Sequence, residues 1–424
     1  MRKRLMPLGM LVVITVCMIA FLQTMDQEKT QEIHTLRVSL WDYDTVGYDR
    51  KVIEQFEKEH PDIHIEIISS APAYYHDSLT AMLDSGERLD VIFVNQLQQL
   101  PTLIEKEVAL PLDDFAVRDQ IDLSVYPDID VLRSPDTGAL LGLPYRKDKF
   151  VLYFNKDLFD LAQMPYPTEG MTWQEFQQTA VQLTERLKPI DEAYWGAYFL
   201  KKEMHLAYFL QSKPLAWDTD DFSLLRPGIS LLLQMQEDGS IPPFTRAAMA
   251  QDSQRLFEQG NYAMFVHGSW YMNFLKMDEE DGNVSFDWGV VERPVWSDTQ
   301  PNQNDAWITP VIIHRDSTEV EAAWTFVKYI CGEVGARSLA EELILPAYQS
   351  EETDRILWDQ LQERGIERHV FTTFSDPVAP MSKQQQAIAD AVYTQYGRAL
   401  LSLDTIELSL AQMEQARHAL LDGK

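Results

Sequence analysis

The chain has 424 residues, enough for about two or three domains at roughly 150 residues each. Acidic residues outnumber basic ones 66 to 36, which argues against nucleic acid or an anionic lipid surface as the main partner. The only two cysteines, Cys17 and Cys331, exclude a disulfide framework, and the 45% hydrophobic content predicts a sizeable core.

The N-terminus has the pattern of an export or anchoring segment. Basic residues at positions 2–4 precede the almost wholly apolar run Leu5–Leu22. That run is about 18 residues long, between the core of a signal peptide and a membrane-spanning helix. Because the positive charge precedes the run, the rest of the chain is expected outside the cytoplasm. We predict a signal peptide or membrane anchor over residues 1–22 and a polar tether over 23–35.

The chain then alternates strand and helix patterns. Leu36–Leu40 reads as a strand, a helix follows until Pro61, and Ile63–Ile67 alternates as a second strand. A further helix ends near Gly86, and Val91–Val94 reads as a buried parallel strand. This order predicts an α/β lobe with a parallel sheet.

The stretch Gly138–Phe159 predicts a strand pair. Ala139–Leu143 is an apolar run that Pro144 breaks, so Tyr145–Asp148 is expected in a polar loop. Val151–Phe154 then returns as a second strand.

The second half is richer in helices. Thr172–Glu175 has the pattern of a capping box, and Thr318–Glu321 is expected to cap a later helix with Trp324 in the core. Strands are predicted at Tyr262–His267 and Trp288–Pro294, and Asn304–His314 reads as a second crossing between lobes. Beyond Pro346 the chain is expected to be mainly helical.

Several motifs in order resemble those of family 1 extracellular solute-binding proteins of ABC sugar importers, the maltose-binding-protein-like family. Leu89 stands where the family usually has Pro, and Phe154 where it often has a second Tyr. The matching segments are Ser85–Val91, Leu110–Asp113, Gly142–Tyr145 with Tyr153–Phe159, Phe257–Gly260 with Ala263, Met264 and Gly268–Trp270, and Ala322–Trp324 with Phe326 and Val327.

The resemblance implies an α/β, two-lobed periplasmic-binding-protein-like fold, with hinge-linked lobes and a ligand cleft between them. The first lobe would comprise residues 36–149 plus 308–345, and the second 150–307 plus 346–424. The implied function is that of an extracytoplasmic receptor, a monomer without cofactor, that captures a carbohydrate and delivers it to an ABC permease by lobe closure. Relatives are often lipoproteins, but Val16 before Cys17 is bulky for that motif, so a retained anchor or atypical lipoprotein is favoured over clean release.

Candidate ligand-binding residues follow from strand ends and crossings. Sugar rings need flat aromatic faces and planar polar groups, and α/β sheets bind ligands beyond the carboxyl ends of their strands. Other roles remain open: Trp41 and Trp307 either pack or line the cleft, Asp42 either binds ligand or caps a helix, and Arg146 with Lys147 either binds ligand or forms an exposed loop. The candidates are Trp41, Asp42, Tyr43, Asn95, Gln96, Tyr145, Arg146, Trp270, Trp307 and Tyr348.

Motifs for catalysis are missing from the sequence. His267–Tyr271 fails the Gly-x-Ser-x-Gly pattern, there is no Gly-rich phosphate loop, and His60 and His64 are separated by Pro61. We therefore expect a protein that is not an enzyme and holds no metal. The alternatives are the same fold binding a polyol phosphate or a peptide, a surface glycosidase, or a receptor that serves a sensor.

Overall fold

The computed structural model describes residues 33–95, 97–200, 217–218, 221–245, 254–296, 307–372 and 382–423. The predicted N-terminal segment 1–22, nearly all of the predicted tether and the candidate Gln96 lie outside these ranges. Among the described helices, none combines the length and the apolar character that crossing a membrane requires.

The strands and helices are numbered in chain order. The strands are β1 His34–Trp41, β2 Ile63–Ser70, β3 Val91–Phe93, β4 Leu143–Asp148, β5 Phe150–Asn155, β6 Met264–Gly268, β7 Trp288–Glu292 and β8 Trp307–Ile313. The helices are α1 Gly47–Glu59, α2 Pro72–Ser85, α3 Leu100–Glu105, α4 Asp113–Arg118, α5 Lys156–Leu161, α6 Trp173–Leu187, α7 Arg226–Glu237, α8 Tyr271–Glu280, α9 Val320–Cys331, α10 Glu333–Glu341, α11 Glu351–Glu363, α12 His369–Thr372, α13 Lys383–Leu400 and α14 Ile406–Leu421.

The first sheet has five strands in the order β2-β1-β3-β8-β4. β1 runs parallel to β2 and β3, whereas β8 is antiparallel to both β3 and β4. Alternate residues of β3 enter different cores: Val91 and Phe93 join the cluster that contains Phe56 of α1, and Ile92 joins the one that contains Leu79 of α2. Helices therefore cover both faces, which confirms the predicted α/β lobe.

The second sheet is the antiparallel set β6-β5-β7. One of its faces packs against α6, α7, α13 and α14 in a separate core that contains Trp173 and Phe176. The predicted capping box opens α6: Glu175 N–H donates to Thr172 Oγ1 over 3.1 Å, and Thr172 N–H donates to Glu175 Oε2 over 2.8 Å. The two sheets with their helices form the two lobes.

The prediction of a polar loop over Tyr145–Asp148 is wrong, because these residues belong to β4. Only Lys149 separates β4 in the first sheet from β5 in the second, so one extended segment crosses between the lobes. Pro144 does not end the strand, since β4 is an edge strand and Pro144 lies opposite Pro310 of β8, where the register shifts. Of the expected strand Ala139–Leu143, Leu140 forms a bridge with Arg133 and Leu143 is the first residue of β4, and the residues between them belong to no strand.

Other elements differ in detail from the sequence prediction. β1 begins at His34 rather than Leu36. Glu319 precedes α9, and among the described residues its side chain accepts no capping hydrogen bond, so the predicted cap at Thr318 is absent there. α11, expected in the second lobe, contacts both lobes: Gln360 donates to the Ala340 carbonyl, and Arg364 just beyond the helix pairs with Glu279 of α8 over 2.7 Å.

Candidate functional site

A small cavity opens at the carboxyl edge of the first sheet, where parallel α/β sheets bind ligands. Its volume of about 180 Å³ includes space open to solvent. This is below the roughly 300–1,000 Å³ of a pocket that encloses a drug-sized ligand, so the cavity can hold only part of one. The lining residues are Leu40, Trp41, Tyr48, Asp49, Phe93, Tyr145, Arg146 and Thr309.

Arg146 lines this cavity and is only 7% exposed. Its guanidinium lies 5.5 Å from the Trp41 ring centroid and 5.6 Å from that of Tyr48, within the range of cation–π interactions. Nη1 donates to Tyr48 Oη over 2.8 Å, and Nε lies 3.6 Å from Asp148 Oδ2. The cation is therefore already balanced by protein groups.

A second buried carboxylate completes the cavity wall. Asp49, on the first turn of α1, accepts the Tyr145 hydroxyl over 2.8 Å. Burial raises the pKa of Asp49 to about 6, although the charge of Arg146 and the Tyr145 hydrogen bond pull it down. Burial also raises the pKa of Tyr48 and of Tyr145 well above the usual value for tyrosine, so both hydroxyls stay protonated.

Asp148 joins the cavity to the second lobe. Its Oδ1 accepts the Ser269 hydroxyl over 2.9 Å, and the carboxylate also accepts the backbone N–H of Trp270. Burial raises the pKa of Asp148 to about 6, while Arg146, Ser269 and the Trp270 N–H act in the opposite direction. Ser269 N–H donates to the Lys149 carbonyl over 2.8 Å, so β6 and the crossing segment are tied at this point.

Trp270 and Trp307 flank the same ring. Phe150 at the start of β5 contacts Trp270 with centroids 5.8 Å apart and Trp307 with centroids 5.5 Å apart, both edge to face. Both tryptophans are half-buried. A Cβ at Gly268 would lie 2.0 Å from the Trp270 ring, so a side chain there would displace that ring.

The remaining candidates are less closely grouped. Tyr43 packs beside Arg50 of α1, and Tyr348 packs against Tyr126 with centroids 5.7 Å apart; neither lines the cavity. Asp42 has a positive φ of 57°, and its carbonyl accepts the N–H groups of Thr45 and Val46 in the turn before α1. Asn95 is half-buried in the bend after β3.

Tyr48, Asp49 and Thr309 line the cavity but are not among the candidates predicted from the sequence. Tyr48 and Asp49 follow Gly47 at the start of α1 and read as ordinary first-turn helix residues. The signal in the sequence that pointed to this site is the run Arg146–Lys149, which places four charged residues between apolar segments. All four charged residues are buried. Within the described residues, no group of three or more His, Cys, Asp or Glu side chains is arranged to hold a metal ion.

Two sheets in separate lobes, a crossing strand between them and aromatic residues around the crossing define the class of two-lobed binding proteins. The model of the bacterial extracellular solute-binding protein family matches residues 44–336. The chain belongs to this family, which consists of binding proteins rather than enzymes.

Its relatives are distant in sequence and close in fold. The galactooligosaccharide-binding protein of Bacillus subtilis is 20% identical, over 77% of this chain and 76% of its own length. An ABC substrate-binding protein from Listeria monocytogenes, solved in complex with cycloalternan, superposes with a TM-score of 0.77 at 20% identity, covering 92% of this chain and 99% of that one. The GacH receptor of Streptomyces glaucescens, solved unliganded and with acarbose, gives 0.74 at 18% identity with the same coverage.

Proposed function

We propose that this protein is an extracytoplasmic receptor that captures a neutral carbohydrate and delivers it to an ABC permease. The observation that carries the proposal is the set of half-buried tryptophans at the crossing, Trp41 in the first lobe with Trp270 and Trp307 beside the second. Aromatic faces suit the apolar side of a sugar ring, and relatives are named for or solved with oligosaccharides.

Charge pairing favours a neutral ligand over a phosphorylated one. Arg146 faces Asp148 at 3.6 Å in the cavity, whereas Lys147 extends from the other face of β4 and is paired outside the cavity, with its Nζ 3.0 Å from Asp128 Oδ2. Two more carboxyl groups lie nearby: that of Asp49 interacts electrostatically with Arg146, and that of Asp42 interacts with Asp49. An anionic ligand would therefore enter a cavity whose lining cation, Arg146, is already paired and where further carboxylates repel it.

The mechanism we propose is lobe closure. A sugar that contacts Trp41 and Trp270 together would stabilise the closed arrangement, because only that arrangement makes both contacts. The moving bodies would be residues 36–149 plus 308–345 and residues 150–307 plus 346–424. The N-terminal segment would hold the monomeric receptor at the outer face of the membrane, either as a retained anchor or as an atypical lipoprotein.

Thermal unfolding against a ligand panel tests the function. The panel contains maltose, melibiose, raffinose, galactooligosaccharide and D-mannitol, with polyol phosphates and short peptides for comparison. A ligand at a hundred times its Kd should stabilise the protein by about 2.7 kcal/mol. Stabilisation by sugars alone is expected; stabilisation by only the phosphates or peptides would refute the carbohydrate proposal, and hydrolysis of a panel sugar would indicate a glycosidase.

A further inference from the structure

Asp148 contacts both tryptophan regions, through Arg146 in the first lobe and through Ser269 and the Trp270 backbone in the second. It lies on β4, belongs to the crossing segment and is only 3% exposed. One oxygen faces Arg146, and the other accepts the Ser269 hydroxyl. The two contacts use different oxygens of the same carboxylate and belong to different lobes.

On the second-lobe side, Asp148 holds the start of α8. Its carboxylate accepts the Ser269 hydroxyl and the Trp270 N–H, which immediately precede the first residue of that helix, Tyr271. A carboxylate that accepts these donors is favourable at a helix N-terminus, because the first N–H groups have no partner within the helix. The backbone of Trp270 is thus fixed by a residue from outside its own lobe's sheet.

On the first-lobe side, Asp148 holds Arg146. The guanidinium in turn lies over the Trp41 ring and donates to Tyr48. β4 places Arg146 and Asp148 two residues apart, so both side chains extend from the same face of the strand. A continuous chain of contacts therefore runs from Trp41 through Arg146 and Asp148 to Trp270.

We propose that Asp148 is a positioning residue: it holds Arg146 against Trp41 in the first lobe and the backbone at Trp270 in the second, and thereby sets the affinity for the ligand that contacts both rings when the lobes close. Asp148 acts through Arg146 and through the Trp270 backbone rather than by contact with the ligand. The affinity part rests on the proposed carbohydrate-binding function, whereas the positioning part concerns the ligand-free protein.

Fluorine NMR of the full chain labelled with fluorotryptophan tests the positioning without any ligand. Trp41→Phe and Trp270→Phe assign the two resonances. Asp148→Asn leaves one acceptor oxygen and replaces the other with an NH2 donor, so the contacts to Arg146 and to Ser269 cannot both persist unchanged, and both resonances should move. Ser269→Ala, which leaves the Arg146 pair in place, should move Trp270 alone. Asp128→Asn removes the partner of neighbouring Lys147 and should move neither.

Calorimetric titration with maltose, raffinose and galactooligosaccharide supplies the second readout. Asp148→Asn should weaken binding about tenfold, and Asp128→Asn should leave it unchanged. A Trp41 resonance that is identical in the wild type and Asp148→Asn would overturn the proposal, as would wild-type affinity in that variant. If the wild type binds none of these sugars, the proposed function fails, while the NMR result still decides the positioning role.

Discussion

Trp270 is the residue whose removal should most directly reduce sugar binding. Its ring packs against Phe150 and His267 yet stays half-buried, and the Gly268 backbone approaches it too closely for a side chain. We expect Trp270→Ala to weaken sugar affinity at least tenfold, about 1.4 kcal/mol, because it removes a stacking face. Calorimetric titration measures the change. Trp195→Ala is the control, since Lys188 Nζ covers that ring at 3.4 Å; equal losses in both variants would contradict the assignment.

Asp148 should oppose folding when it is ionised, since burial raises its pKa from 3.8 to about 6. The folded chain then holds this proton between about pH 4 and 6 while the unfolded chain releases it, so the contribution of Asp148 to stability falls as pH rises through that window. The side chain in Asp148→Asn does not ionise, so this pH-dependent loss of stability is absent from the variant. As the pH rises from 4 to 7, the free energy of unfolding of the variant should therefore increase relative to that of the wild type by on the order of 2 kcal/mol.

Urea unfolding at several pH values measures that difference. The gain should level off above the folded pKa, because Asp148 is then ionised in both states of the wild type. Asp128→Asn serves as the reference for loss of another carboxylate near the same strand. A stability difference between Asp148→Asn and the wild type that stays constant from pH 4 to 7 would show that Asp148 has an ordinary pKa in the folded protein.

Residue type and strand-end position selected Trp41, and the predicted crossing between lobes selected Tyr145 and Arg146; the structure brings the three together in one cavity. They did not indicate that Arg146–Lys149 would be buried, because charged runs are usually solvated. The burial depends on partners far along the chain: Lys147 reaches Asp128, Arg146 reaches Tyr48, and Asp148 reaches Ser269. Local sequence contains no information on such pairings.

Helices and parallel strands of the first lobe were predictable because their signals are local. α1, β2, α2 and β3 all have the predicted type, and α2 ends at Gly86 with a φ of 71°. The crossing strand β4 was not predictable, because its partner β8 begins more than a hundred residues later in the chain. Pro144 reads as a strand breaker until Pro310 is known to lie opposite it.

Two predicted helix caps, of which one is present, give a matched stability test. Thr172 and Glu175 exchange both hydrogen bonds of a capping box at α6, whereas Thr318 is not the residue that precedes α9: that residue is Glu319, whose side chain makes no capping hydrogen bond. Thr172→Ala should therefore lower the free energy of unfolding by about 1 kcal/mol. Thr318→Ala should change it by less than about 0.5 kcal/mol. Urea unfolding of both variants compares them, and equal losses would contradict the assigned caps.

At the scale of the molecule, the two lobes share part of their hydrophobic core. One cluster contains Leu36 and Val38 of the first sheet together with Tyr153 and Trp288 of the second. α8 adds polar contacts across the lobes: Asn273 Nδ2 donates to the Glu342 carbonyl over 2.9 Å, and Lys276 Nζ donates to the Glu341 carbonyl over 2.6 Å. Residues of one lobe therefore complete the packing of the other.

The shared core predicts that the lobes unfold together. Losing either lobe would expose apolar surface of the other, such as the side chains around Trp288, and such exposure costs about 25 cal/mol per Å². We expect one calorimetric transition whose van't Hoff and calorimetric enthalpies agree, in spite of the length of the chain. A bound sugar should move this whole transition upward, since a ligand that bridges the lobes stabilises both of them. Two resolved peaks, of which only one responds to sugar, would mean that the lobes are stabilised separately and that the ligand contacts one of them alone.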